Sequence, residues 1–156
     1  MIEIDFADPN RGEMKSILKR GFSTDSLDRS TAMEYTVTFI DGYFDVKLIG
    51  KSNVEESAAY LDFLIAHKEW SPGSLVLSDE TEIEIGHLTV NDLKQISIVC
   101  EERRAAIGAA RFAAVVPKDL LFGMNRMFQV YVEPNWDATI FAFRSRDEAL
   151  KWLFSV

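Results

Sequence analysis

From Glu34 onward the apolar and polar positions fall into a repeating order. Tyr35, Val37 and Phe39 alternate with Thr36 and Thr38, and Phe44, Val46 and Leu48 alternate with Asp45 and Lys47. Period-two alternation marks strands with one wet face. Asp41-Gly42 between them is a strong hairpin turn signal, so 35–39 and 43–49 are expected to pair antiparallel. Three further runs, Leu75–Leu77, Phe112–Val116 and Thr139–Phe143, lack polar alternation. Continuous apolarity is expected of parallel strands buried on both faces.

Each of these segments is followed by a helical pattern. Ser52 and Asn53, with Glu55 and Glu56 three residues on, start a helix carrying Ala58, Leu61, Leu64 and Ile65. Thr89 with Asp92 forms a capping box for a helix bearing Leu93, Ile96, Val99 and Cys100. Pro117-Lys118-Asp119 opens a helix from about Leu120 to Val132, and Ser145 with Glu148 caps a last one bearing Ala149, Leu150, Trp152 and Leu153. The order β-β-α-β-α-β-α-β-α predicts an α/β fold. Its core is a single mixed, mostly parallel five-stranded sheet, an N-terminal antiparallel hairpin followed by βαβαβα units, flanked by helices.

Residues 1–33 break this regularity. Turn formers crowd the segment (Asp8, Pro9, Asn10, Gly12, Gly21, Ser23), and the one helical pattern is Met14, Ile17 and Leu18 within Glu13–Lys19. The division expected is a loosely held N-terminal arm or short helix over 1–33 and an α/β domain over 34–156. A length of 156 residues suffices for one domain with a sizeable core. The formal net charge of −8 resides in the domain rather than the arm, and such a surface repels phosphate backbones, so nucleic acid is not an expected partner. Cys100 is the only cysteine, which fits a reducing, cytoplasmic setting. No signal segment and no membrane span are expected, the longest apolar run being split by Gly108 and Arg111.

Candidate chemistry is sparse. Asp79, Glu80, Glu82 and Glu84 crowd the end of a strand, but their spacing fits no calcium loop. Their alternation with Ile83 and Ile85 reads as acids facing water, so no metal is expected. A catalytic Cys or Ser needs a base within hydrogen-bond reach. His67 falls late in a helix, His87 precedes Thr89, and Cys100 lies on an apolar stripe. There is no Gly-x-Ser-x-Gly elbow and no phosphate-cradling Gly-rich loop. The expectation is a non-enzymatic protein without a cofactor, with His87 as a weak acid/base alternative.

The most distinctive stretch is LLFGMNRMFQVYVEP at 120–134. Leu121, Met124, Phe128 and Tyr131 share a helical stripe, widened by Met127 and Val130. Gly123 costs helix stability relative to Ala, which suggests close approach of a neighbouring helix or a ligand. Arg126 stands one turn on, able to meet an anion. Gly123, Met124, Arg126, Met127 and Phe128 are therefore the candidate ligand- or partner-binding residues.

RFAAVVP at 111–117, FGMNRMF at 122–128 and DEALKWL at 147–153, in this order and spacing, resemble the bacterial STAS-like proteins called SpoIIAA-like. These are relatives of the anti-sigma factor antagonists, and their fold has been likened to CRAL-TRIO lipid-binding domains. The resemblance covers roughly 34–154. It implies a STAS-like module that engages a protein partner in signalling or regulation. It also implies a regulated hydroxyl at the start of the helix after a central strand, here near Thr89, a possible phosphorylation site. The alternative is a carrier or sensor of a small apolar or anionic ligand, lipid-like or nucleotide, with helix 120–134 as a gate and Arg126 as anion contact. Oligomerisation is compatible with either.

Overall fold

The computed structural model describes residues 2–8, 13–19, 33–116 and 119–155. The alternating segments form β3 (Met33–Ile40) and β4 (Tyr43–Lys51), paired antiparallel with Val37 opposite Val46. Asp41 and Gly42 between them have φ of 49° and 85°, both positive, which suits a two-residue turn matched to strand twist. After β4 come α1 (Val54–Ala66), β5 (Leu75–Glu84), α2 (Val90–Glu102), the short α3 (Arg104–Ile107) and β6 (Arg111–Val115). Then follow α4 (Asp119–Val132), a 3₁₀ turn (Glu133–Asn135), β7 (Thr139–Phe143) and α5 (Arg146–Leu153). Strands β4 to β7 run parallel to one another. The predicted hairpin and parallel strands are thus one mixed sheet, as the polarity pattern requires.

The sheet is wider than the five expected strands. Ile2–Asp8 and Glu13–Lys19 form β1 and β2, which extend it to seven in the order β1-β2-β3-β4-β5-β6-β7. The short helix expected over Glu13–Lys19 is therefore a strand, with Met14–Leu18 paired antiparallel to Phe39–Tyr35. Seven residues are too few for a stable isolated helix, whereas the free edge of β3 offers a full row of backbone partners. The turn formers Pro9, Asn10, Gly12, Gly21 and Ser23, and the side chains of Met14, Ile17 and Leu18, lie outside the described residues.

Sequential strand order fixes where the helices go. Each parallel connection steps the same way along the sheet, and right-handed crossovers then put α1, α2 and α4 on one face. Their core gathers Tyr35, Val37, Phe44, Val46, Val76, Phe112 and Ala114 with Leu61, Leu64, Cys100 and Val132. The opposite face carries a smaller core of Tyr43, Leu77, Ala113 and Val115 under Ala149 and Leu153 of α5. The Leu75–Leu77 run of β5 and strand β6 are thus covered on both faces, as expected. Strand β7 is not: it is the sheet's edge, half-buried along most of its length, with Phe141 37% exposed. No helix among the described residues is long and apolar enough to cross a membrane.

Candidate functional site

Three of the four predicted helix starts are built from the expected side chains, and the fourth, at Pro117-Lys118, lies outside the described residues. Asn53 Oδ1 accepts from Glu56 N at 2.8 Å, and Ser145 Oγ from Glu148 N at 3.3 Å. At α2 the capping box closes in both directions: Asp92 N donates to Thr89 Oγ1 at 3.1 Å and Thr89 N to Asp92 Oδ2 at 2.8 Å. The bond from Thr89 N, and after it the Thr89 side chain, hold the Asp92 carboxyl below its ordinary range. The Thr89 hydroxyl acts as the cap of α2 and the residue is exposed.

The acidic stretch is a continuation of β5, not a loop. Lys47 stands opposite Asp79 and Ile49 opposite Glu82, so Glu80 and Thr81 together face Leu48. This is a β-bulge, held by Asp79, whose Oδ1 accepts from Thr81 N at 3.0 Å and Thr81 Oγ1 at 2.6 Å. The bulge shifts the phase of the strand. Val76 and Ser78 face the α1–α2–α4 side before it, and Ile83 does so after it. Glu82 and Glu84 are exposed, as expected, and Glu82 pairs with Lys47 at 2.7 Å. Glu80, expected in water with them, instead turns under the helices.

There it borders a cavity of about 140 Å³ between the sheet and α1, α2 and α4. Leu48, Ile83, Phe112 and Ile140 form its floor, and Tyr60, Leu61, Leu93, Ile96, Met124, Phe128 and Trp136 form much of the rest. The Ser52 and Ser57 hydroxyls line it beside the start of α1, and its one charged group among the described residues is held elsewhere on the wall. Ser78 Oγ donates to Glu80 Oε1 at 3.3 Å and Asn125 Nδ2 to Glu80 Oε2 at 3.1 Å. Burial raises the Glu80 carboxyl above its ordinary range, against the lowering pull of the Asn125 and Ser78 bonds; the Asp79 charge adds to the rise. Glu80 keeps some accessible surface, as a cavity wall must, while lying deep among protein atoms. Two more polar atoms of wall residues, Tyr60 Oη and Trp136 Nε1, are buried with no hydrogen-bond partner among the described residues.

No protein-family profile matches the sequence, and neither does any curated protein. Among solved structures the chain is similar to an uncharacterized protein of the DUF3478 family with a SpoIIAA-like fold from Shewanella loihica PV-4. The TM-score is 0.53 at 17% identity, over 85% of this chain and 99% of that one. The fold is SpoIIAA-like. The resemblance carried by the three sequence motifs therefore holds at the level of architecture.

Within this SpoIIAA-like frame the distinctive helix, α4, divides its candidates between two sides. Met124 and Phe128 line the cavity. Gly123, Arg126 and Met127 are exposed, and nothing lies within 4 Å of where a Cβ on Gly123 would sit. The close neighbour inferred from Gly123 is absent among the described residues. The inward stripe is Met124, Asn125, Phe128 and Val132, so Met127 and Val130 widen it in the wrong direction; Val130 is 68% exposed. The side chain of Leu121 lies outside the described residues. Asn125, not Arg126, reaches the acids of β5.

The other candidates have structural roles. His87 Nε2 lies 2.6 Å from the Ser52 carbonyl, a bond that ties the β5–α2 loop to the end of β4. His67 packs edge-on against Phe44, its Nδ1 accepting from Glu69 N at 3.1 Å. Cys100 is buried in the cavity wall and burial pushes its thiol up to about 12, which keeps it out of the thiolate form that nucleophilic attack requires. Sequence reasoning missed Glu80 and Asn125. Leu75–Leu77 is apolar on both faces and so carried no phase against which the alternation of 82–85 could be checked, and the bulge between them was not legible.

Proposed function

We propose that this chain is a SpoIIAA-like binding module that holds a small, largely apolar molecule in the cavity between its sheet and α1, α2 and α4, acting as a carrier or sensor. The observation that carries this reading is a mostly apolar cavity with a few polar groups and, among the described residues, a single charged one, Glu80, the arrangement expected of a ligand site. Its volume matches a single ring or short chain, since a cavity of about 150 Å³ takes a benzene-sized molecule. Helix α4 forms one wall through Met124, Asn125 and Phe128 and is the natural gate. An anionic ligand or nucleotide is disfavoured, because the cavity's charged wall residue is an acid and Arg126 stands outside it.

The test is a set of thermal melts of the full chain with single-ring and short-chain molecules, neutral, cationic and anionic. A true ligand at a hundred times its Kd stabilises by about 2.7 kcal/mol. The shift should vanish in Leu88→Trp, which fills the cavity from its half-buried wall, and persist in Met127→Ser on the outer face. No shift with any member of the set overturns the reading.

Engagement of a protein partner in signalling or regulation is the second reading, and both are non-enzymatic. The exposed Met127 and Val130 on the outer face of α4 favour it, since adaptable apolar side chains suit a protein contact. Serine at both positions should abolish capture of such a partner without moving the melting of the free chain.

A further inference from the structure

Resting on the cavity reading above, we infer that its ligand is an organic cation, a small aryl- or alkylammonium ion, held by Glu80 inside an aromatic wall. The geometry defines the chemistry of the missing group. Both carboxylate oxygens of Glu80 already accept from protein donors, Oε1 from Ser78 and Oε2 from Asn125. What remains to the carboxylate is further acceptor capacity toward the cavity, so the complementary ligand group is a donor. An ammonium supplies up to three N–H donors and the opposite charge.

The rest of the wall points the same way. Glu80 is the one charged side chain among the described residues that line the cavity, so nothing inside competes for it. A carboxylate in such surroundings is costly unless it is protonated or paired, and a bound cation is the pair that keeps it ionised. Tyr60, Phe112, Phe128 and Trp136 also line the cavity, with Phe112 and Trp136 stacked at 5.3 Å between centroids. Aromatic faces attract organic cations, more strongly when water is excluded. A neutral ring of the same size would gain the apolar contacts alone.

Calorimetric titration of the full chain with benzylammonium and with benzyl alcohol separates these cases, since the two share ring and size and differ in charge. Benzylammonium should bind at least tenfold more tightly. In Glu80→Gln the two should come within about twofold, through loss of benzylammonium affinity, while Glu80→Asp should keep a weakened preference for the cation. Equal or tighter binding of the alcohol by the native chain overturns the inference and leaves the cavity reading standing. Benzylammonium affinity untouched in Glu80→Gln also overturns it. Binding of neither compound, nor of any molecule in the thermal set, sinks both. The native-chain comparison decides even if Glu80→Gln fails to fold.

Discussion

Two glycines show how one residue type takes its meaning from the space around it. At Gly108 φ is +61°, and an added Cβ would meet Pro72 Cβ at 2.7 Å and Gly73 N at 3.3 Å. Backbone and sterics both demand glycine there, so Gly108→Ala should destabilise by more than about 1–2 kcal/mol. Gly123 sits inside α4 with nothing within 4 Å of its absent Cβ. Gly123→Ala should therefore stabilise the chain by roughly 0.5–1 kcal/mol through helix propensity alone. Urea unfolding of both variants checks the opposite signs. The propensity cost of Gly123 was legible in the sequence; what occupied the space beside it was not, because that depends on how α4 is rotated against the sheet.

At the scale of elements, local signals that involve near neighbours in sequence were readable and long-range ones were not. The caps at Asn53, Thr89 and Ser145 each join residues three apart, and all were visible. The β5 bulge depends on register against β4, and the strand at Glu13–Lys19 depends on an edge that β3 provides. The anchoring of α5 is of the same long-range kind. The Arg111 guanidinium lies 4.2 Å from the centroid of the Trp152 ring, and Arg111 donates to the Trp152 carbonyl at 2.5 Å and to the Ser155 carbonyl. It thereby adds a charged donor to the helix C-terminus, where the Trp152 carbonyl also accepts from Ser155 N at 3.2 Å and Ser155 Oγ at 2.6 Å. Arg111→Ala should cost about 1–2 kcal/mol, and amide exchange should quicken in α5 before it does in β5 or β6. Uniform acceleration across the sheet would contradict this role.

For the whole molecule, Glu80 ties stability to pH with a definite sign. Its carboxyl is raised in the folded chain, so the folded state holds a proton that the unfolded state has released over the window between the two values. Stability is then fully present below the ordinary carboxyl value of about 4.3 and falls as pH rises through the raised folded value. Asp92 and Asp137, whose carboxyls are held low by hydrogen bonds, act the other way and lose stability toward acid. The difference between the native chain and Glu80→Gln isolates the first effect. Unfolding free energies across pH 4 to 8 should show the native chain losing ground relative to Glu80→Gln as pH rises. A constant difference across the range would mean that Glu80 titrates as it does in the unfolded chain.

The order of strands in the sheet repeats their order in the chain, and this bears on how the protein is made. Emerging from a ribosome at about 5–20 residues per second, each strand finds its partner already synthesised and waiting at the growing edge. No strand has to insert between two others, and none is held open for a segment still to come. The long waits and exposed intermediates that burden sheets with interleaved strand order are avoided, and the sheet can grow along one direction as the chain does.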